Sequence, residues 1–134
     1  DIAFAIDTIA RQPNTAAAHS LIGLAEVGAQ QQRLVEALFC AYFLQGVDLT
    51  QRSELERLAL EAGLSGDEVR ACLDSEDARA QVRASDVRAR QMGVQGVPFF
   101  IFNNQVGVSG AHEPETLLQA MEQSLAPPQE TANA

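Results

Sequence analysis

The chain has 134 residues, of which 46% are hydrophobic, a size and composition that predict one domain with a packed core. It carries 18 acidic residues against nine arginines and no lysine, so its net charge is −9. A nucleic-acid partner is not expected, because such a surface needs clustered positive charge. No stretch approaches the roughly 18 continuous apolar residues of a membrane span, so no membrane partner is expected either.

Two cysteines, Cys40 and Cys72, lie far apart in the sequence, and they form no Cys-x-x-Cys pair. So few thiols favour a reducing compartment, and we expect a cytoplasmic protein. With two histidines and no His/Cys cluster, no metal site is expected. Cys40 lies on the apolar stripe of a predicted helix, and Cys72 follows in a short helix, so both are interpreted as packing residues.

Segment 1–13 opens with alternating apolar residues and is expected to be extended as it enters a helical block at 14–92. Within that block, apolar residues recur at intervals of three and four, which predicts a series of helices. Their expected limits are 15–29, about 31–44, 50–62, 65–73 and about 75–92. Asn14 and Thr15 are expected to cap the first of them.

After Gly93 the pattern changes to that of a β-hairpin followed by a helix. Residues 99–102 are apolar at every position, which predicts a strand covered on both faces, and 106–108 form its partner. Asn103 and Asn104 tolerate positive φ and are predicted to make the turn. The last helix is expected at about 114–125, and residues 127–134 are expected to be a disordered tail.

The stretch GVPFF at 96–100 places Pro98 at the entrance to the apolar strand, followed by the hairpin, VSGA at 108–111 and a helix. In this order the segment resembles the closing half of a thioredoxin fold. The whole chain resembles the DsbA-like thioredoxin superfamily, and within it the FrnE-like dithiol–disulfide oxidoreductases or disulfide isomerases. The stretches that carry the resemblance are 13–25, 36–49, 58–64 and 92–115.

The resemblance implies a mostly helical α/β fold class, with a helical insertion domain at 14–92 and a C-terminal thioredoxin ββα segment at 93–126. It also implies a cis bond before Pro98, although from the residues alone a trans proline at a strand start is the commoner case. By the same resemblance, Gly96, Val97 and Pro98 bind substrate. Val97 would pair its backbone with an extended peptide or glutathione, and Gly96 would let that partner approach.

Further residues would line the cleft if the resemblance holds: Asn14, Thr15, His19, Ser109, Gly110, Ala111 and His112. The residues alone support plainer roles for these positions. The first three belong to a helix start, where capping and packing explain them. The last four form a turn and a helix start, although a helix N-terminus also suits an anion.

Members of this family carry a Cys-x-x-Cys motif after the first strand, and this sequence contains none. We therefore expect the chain to be the C-terminal part of a larger protein, with no catalytic residue of its own and no disulfide-exchange activity alone. No cofactor is expected. The expected partners are protein dithiols or disulfides, with glutathione as an alternative substrate or reductant, and a homo-oligomer is a further expectation because an incomplete sheet can recruit a strand.

Two alternative functions stay open. One is a glutathione-dependent enzyme on the same scaffold, similar to 2-hydroxychromene-2-carboxylate isomerase or kappa-class glutathione transferase. The nucleophile separates it from an oxidoreductase, because such an enzyme would use serine where Cys-x-x-Cys stands. The other is a helical binding or dimerisation module without catalysis.

Overall fold

The computed structural model describes residues 2–9 and 11–125, and the predicted tail at 127–134 lies outside them. The chain divides into two units, Asp1–Asp86 and Val87–Ala134, and the division falls within a helix, before the sequence-based boundary after Met92. The described helices and strands are α1 (Ala16–Leu24), α2 (Ala29–Phe39), α3 (Arg52–Glu61), α4 (Gly66–Asp74), α5 (Glu76–Gln91), β1 (Phe99–Phe102), β2 (Val106–Ser109) and α6 (Pro114–Leu125). This confirms the predicted fold class, mostly helical with a C-terminal ββα segment.

The first helix is shorter than predicted. It was expected to reach residue 29, but α1 ends at Leu24, and Ala25 already has extended backbone angles. Gly28 has a φ of +112°, a conformation that only glycine adopts readily, and it separates α1 from α2. The side chain of Gln30 accepts a hydrogen bond from the Glu26 N–H at 2.8 Å, which holds the connection in place. Gly28 therefore lies between the two helices and not inside the first of them.

The capping prediction at the start of α1 is half right. The Asn14 carboxamide oxygen accepts a hydrogen bond from the Ala16 N–H at 3.0 Å. Thr15 occupies the N-cap position, but its side chain makes no capping hydrogen bond. Thr15 has helical backbone angles instead of the extended ones that an N-cap hydroxyl needs, so the residue before it supplies the acceptor.

The core of the first unit is built from the predicted apolar faces. Leu21 of α1, Leu34 of α2 and Val69 of α4 are the largest fully buried side chains. Leu58 and Ala59 of α3 join the same cluster. Burial of each large side chain contributes about 1.5–3 kcal/mol, so this cluster is what holds the helices together.

Beyond α2 the chain continues as a π-helical turn, Cys40–Leu44, where the sequence predicts an uninterrupted helix. Segment 1–13, predicted to be extended, contains a short 3-10 helix at Ile6–Thr8. Just before it, the Ala5 N–H donates to the Phe43 carbonyl at 2.8 Å, which ties the segment to the π-helical turn. The alternating apolar residues of this segment therefore do not form a strand, and Ile2, Phe4 and Ile6 are all more than half exposed.

An exposed arginine links α3 to α4 in the first unit. The Arg52 guanidinium donates to both carboxylate oxygens of Asp74 and to Glu56 one turn along its own helix. These hydrogen bonds from Arg52 hold the pKa of the Asp74 carboxyl below its usual value. Because the groups are exposed to solvent, these ion pairs contribute little to stability. The burial of the leucines contributes more.

The second unit contains the hairpin and α6. β1 and β2 pair antiparallel, with Phe99 opposite Ser109 and Phe102 opposite Val106. Asn103 and Asn104 have φ values of 52° and 54°, which confirms the predicted turn. The Asn103 side chain also donates to the carbonyl of Ser124 at 3.0 Å, which anchors the turn to α6.

The prediction that β1 is covered on both faces is wrong for the residues described. The side chain of Ile101 is 42% exposed, and the three phenylalanines of the strand are only half-buried. The reason is that α6 packs against this two-stranded sheet and can cover one of its faces only.

Candidate functional site

The hairpin of the second unit brings together two of the segments singled out in the sequence. Pro98 precedes β1, and Gly110 follows β2. The Gly110 N–H donates to the Pro98 carbonyl at 2.9 Å, which adds one rung to the ladder beyond the pair of Phe99 and Ser109. The segments 96–98 and 109–112 therefore lie side by side at one end of the hairpin, and we call this end the hairpin site.

Val97 is the most exposed large apolar residue of the hairpin site, with 91% of its surface accessible. The Val97–Pro98 peptide bond is cis. Among residues 2–9 and 11–125, neither the N–H nor the carbonyl of Val97 has a hydrogen-bond partner. Gly96 is also exposed, and apart from its two chain neighbours no described residue has a heavy atom within 4 Å of the place where a Cβ would sit. An approaching main chain would thus find an open donor, an open acceptor and no side chain at the preceding position.

The other half of the hairpin site is the turn from Ser109 to His112. Gly110 has a φ of +92°, which a residue with a side chain rarely adopts. The Nε2 atom of His112 lies 2.9 Å from the Ser109 carbonyl oxygen. Ser109, Ala111 and His112 are exposed, so this side of the site is polar and open to solvent.

The remaining predicted cleft residues belong to the first unit. Asn14 accepts the hydrogen bond from Ala16, and the carbonyl of Thr15 accepts one from the His19 N–H at 2.9 Å. The His19 side chain is exposed on α1. The structure thus places these three residues together at the start of α1, where capping and helix formation explain the hydrogen bonds of Asn14 and Thr15.

Neither cysteine forms a disulfide, since the thiols of Cys40 and Cys72 are both free and half-buried. Burial raises the pKa of the Cys72 thiol above its usual value, which disfavours the nucleophilic thiolate. The Cys40 sulfur lies 3.8 Å from a carboxylate oxygen of Glu36. Catalytic thiols have their pKa lowered by positive charge or a helix N-terminus, so Cys72 does not have the surroundings of a redox nucleophile.

An exposed aromatic cluster in the first unit escaped the sequence-based prediction. Phe39 is 58% exposed and lies 5.9 Å from Phe43 between ring centroids, and Phe4 meets Phe43 edge-on at 6.2 Å. The sequence does contain a signal for it, because the apolar residues at 34, 35, 38, 39, 42 and 43 make a stripe wide enough to face two neighbours. Leu34 and Leu38 are buried in the core and Tyr42 packs against it, whereas Phe39 and Phe43 remain exposed.

No group of three or more His, Cys, Asp or Glu side chains in the described ranges 2–9 and 11–125 could hold a metal ion. In the same ranges, every helix is too short or too polar to cross a membrane.

Comparison with known families assigns the chain to a class. The DSBA-like thioredoxin domain family matches residues 1–122, and the chain therefore belongs to that family. A solved structure of a probable DsbA oxidoreductase from Streptomyces coelicolor is 34% identical in sequence and superposes with a TM-score of 0.76. The match covers 92% of this chain and 54% of the Streptomyces chain, so this chain spans about half the length of that relative. A search of curated proteins gave no significant match.

Proposed function

We propose that this chain is part of a thiol–disulfide oxidoreductase or isomerase of the FrnE-like branch, to which it contributes a helical cap and one wall of the substrate groove. The observation that carries the proposal is the open main chain of Val97, held at the end of a hairpin by the bond between Gly110 and Pro98. Membership of the DSBA-like thioredoxin domain family and the likeness to a probable DsbA oxidoreductase support it.

In this proposal, Val97 binds an extended substrate by strand addition. Its N–H donates to a carbonyl of the substrate, and its carbonyl accepts from a substrate N–H. Main-chain pairing suits an enzyme that acts on cysteines in many sequences, because hydrogen bonds to the substrate backbone do not depend on the substrate's side chains. The exposed side chain of Val97 would add an apolar contact, and Gly96 leaves room for the substrate backbone.

The chemical step belongs to a Cys-x-x-Cys motif that this sequence does not contain. In such a step, a thiolate attacks one sulfur of a substrate disulfide, forms a mixed disulfide and releases the other sulfur as a thiolate. Cys40 and Cys72 are separate, free and half-buried, so neither pair formation nor attack is proposed for them. The same two free thiols support the proposal of a cytoplasmic location.

An insulin-reduction assay tests the proposal. The 134-residue chain is expected to leave the rate of insulin reduction by dithiothreitol unchanged. A longer natural protein in which a Cys-x-x-Cys motif precedes this chain is expected to accelerate it, and serine in place of the first cysteine of the motif should remove the acceleration.

Two results would contradict the proposal. The first is acceleration by the 134-residue chain that disappears in Cys40→Ser or Cys72→Ser, which would place the nucleophile in this chain. The second is a longer protein that contains the motif, folds and fails to reduce insulin, which would favour the non-catalytic binding module.

A further inference from the structure

His112 and Pro98 are connected through a single peptide group. The Nε2 atom of His112 lies 2.9 Å from the carbonyl oxygen of Ser109. The nitrogen of that same peptide group belongs to Gly110, and its N–H donates to the Pro98 carbonyl at 2.9 Å. The two hydrogen bonds therefore run in series, from the imidazole through the Ser109–Gly110 peptide to Pro98.

The acceptor determines which ring nitrogen must carry a hydrogen. A carbonyl oxygen can only accept, so the imidazole must carry a hydrogen on Nε2 for this bond to form. A donor at the oxygen end of a peptide group polarises it and makes its N–H a stronger donor, which is the ordinary cooperativity of hydrogen bonds in series. The His112 ring thus strengthens the bond that Gly110 makes to Pro98.

The peptide that His112 holds is one that could otherwise rotate easily. Gly110 has a φ of +92°, and with no Cβ its preceding peptide group can turn over at little steric cost. Such a rotation would swing the Gly110 N–H away from Pro98. The bond to Pro98 is also the last rung described beyond the pair of Phe99 and Ser109, so the ladder offers no further rung to oppose the rotation.

We propose that His112 is a positioning residue for the substrate-docking segment, because it fixes the Ser109–Gly110 peptide and thereby the carbonyl of Pro98 beside Val97. This inference rests on the proposed function, since only that function makes the segment at Val97 a docking site for substrate. The positioning of Pro98 by His112 can be measured without any substrate. His112 touches no reacting group. Its effect on a substrate passes through Pro98.

Amide hydrogen exchange of the 134-residue chain tests the positioning. In His112→Leu, which has no donor, the Gly110 amide is expected to exchange about tenfold faster than in the parent chain. In His112→Gln, whose carboxamide nitrogen can donate from about the same distance along the side chain, exchange is expected to stay within about twofold of the parent. The Gln105 amide, which donates to Phe102 at 3.0 Å at the other end of the hairpin, is the internal reference and should not change.

The rescue by glutamine separates positioning from packing. Equal Gly110 exchange in His112→Leu and the parent would overturn the inference, and so would a Gln variant as fast as the Leu variant. A rise in Gln105 exchange equal to that of Gly110 would also overturn it, since the hairpin as a whole would then be loosened.

Peptide binding is measured separately on the same variants, with a blocked extended peptide that contains a disulfide. His112→Leu is expected to bind it about threefold more weakly than the Gln variant does, because Pro98, and with it the adjoining main chain of Val97, is less well placed. If the parent chain binds no peptide, the proposed function fails while the exchange result still decides the role of His112. If the parent binds and the Leu and Gln variants bind equally, the link from His112 to docking is wrong.

Discussion

Replacement of Val97 by proline is expected to weaken the binding of an extended, disulfide-containing peptide about tenfold. Proline has no N–H, so the main-chain donor of the hairpin site is lost, and the proline ring occupies the space in which the substrate carbonyl would lie. Affinity falls further because the substrate carbonyl loses its hydrogen bonds to water on binding and gains none from the protein. The affinity can be measured by titration of the peptide into the labelled chain.

Val97→Ala is the matched control. It shortens the exposed side chain but keeps both the N–H and the carbonyl, so its affinity is expected to fall by no more than about threefold. Proline and alanine variants of equal affinity would contradict main-chain docking at Val97. An alanine variant weaker than the proline variant would show that the side chain is recognised instead.

Replacement of Leu58 by alanine is expected to lower the free energy of unfolding of the first unit by about 2–5 kcal/mol. Leu58 is only 3% exposed and lies in α3 within the core cluster that α1, α2 and α4 share. The shorter side chain removes apolar contacts and leaves a cavity that the neighbouring helices can fill only in part. Denaturant unfolding followed by circular dichroism gives the value, because most of the helical signal comes from this unit.

Leu60 provides the control for this change on the same helix. It lies two residues further along α3 and is 48% exposed, so Leu60→Ala removes the same atoms from a site that keeps its contact with water. Its cost is expected to stay below about 1 kcal/mol. Similar losses for Leu58→Ala and Leu60→Ala would mean that the first unit has no well-packed core at α3.

The helical part of the fold could be predicted well because its signals are local. The apolar residues of α3 recur at helical intervals, and Leu55, Leu58 and Ala59 are buried together with Ala62 just beyond the helix. The sequence-based prediction was wrong where tertiary contacts determine the backbone conformation. The π-helical turn after Phe39 is one example, since Phe43 there accepts a hydrogen bond from Ala5, a residue nearly forty positions earlier in the chain.

The strand β1 was identified correctly, but its surroundings were not. The run from Phe99 to Phe102 indicated burial on both faces, because periodicity reports how apolar a strand is and not which partners are present. In the residues described, a single helix packs on the hairpin, and Ile101 stays accessible. The number of strands around β1 is a property of the assembled sheet that no local pattern encodes.

The residues of the candidate site could be singled out in the sequence, but the hydrogen bonds that connect them could not be predicted. Gly96, Val97 and Pro98 stood out through their spacing and through the resemblance to a family. That His112 reaches back to the Ser109 carbonyl, and that the same peptide group holds Pro98, depends on side-chain and turn geometry. A sequence gives the presence of a histidine after a glycine turn, but it does not give the direction in which the ring points.

The exchange rate of the Val97 amide, with and without a blocked disulfide-containing peptide, tests main-chain docking most directly. In the free chain this N–H has no hydrogen-bond partner among the described residues, so it should exchange close to the rate of an unstructured amide. At saturating peptide it is expected to slow about tenfold or more, while the amide of exposed Val87 on α5 keeps its rate. A peptide that binds without slowing the Val97 amide would contradict strand addition at this position, and with it the substrate groove proposed for the chain.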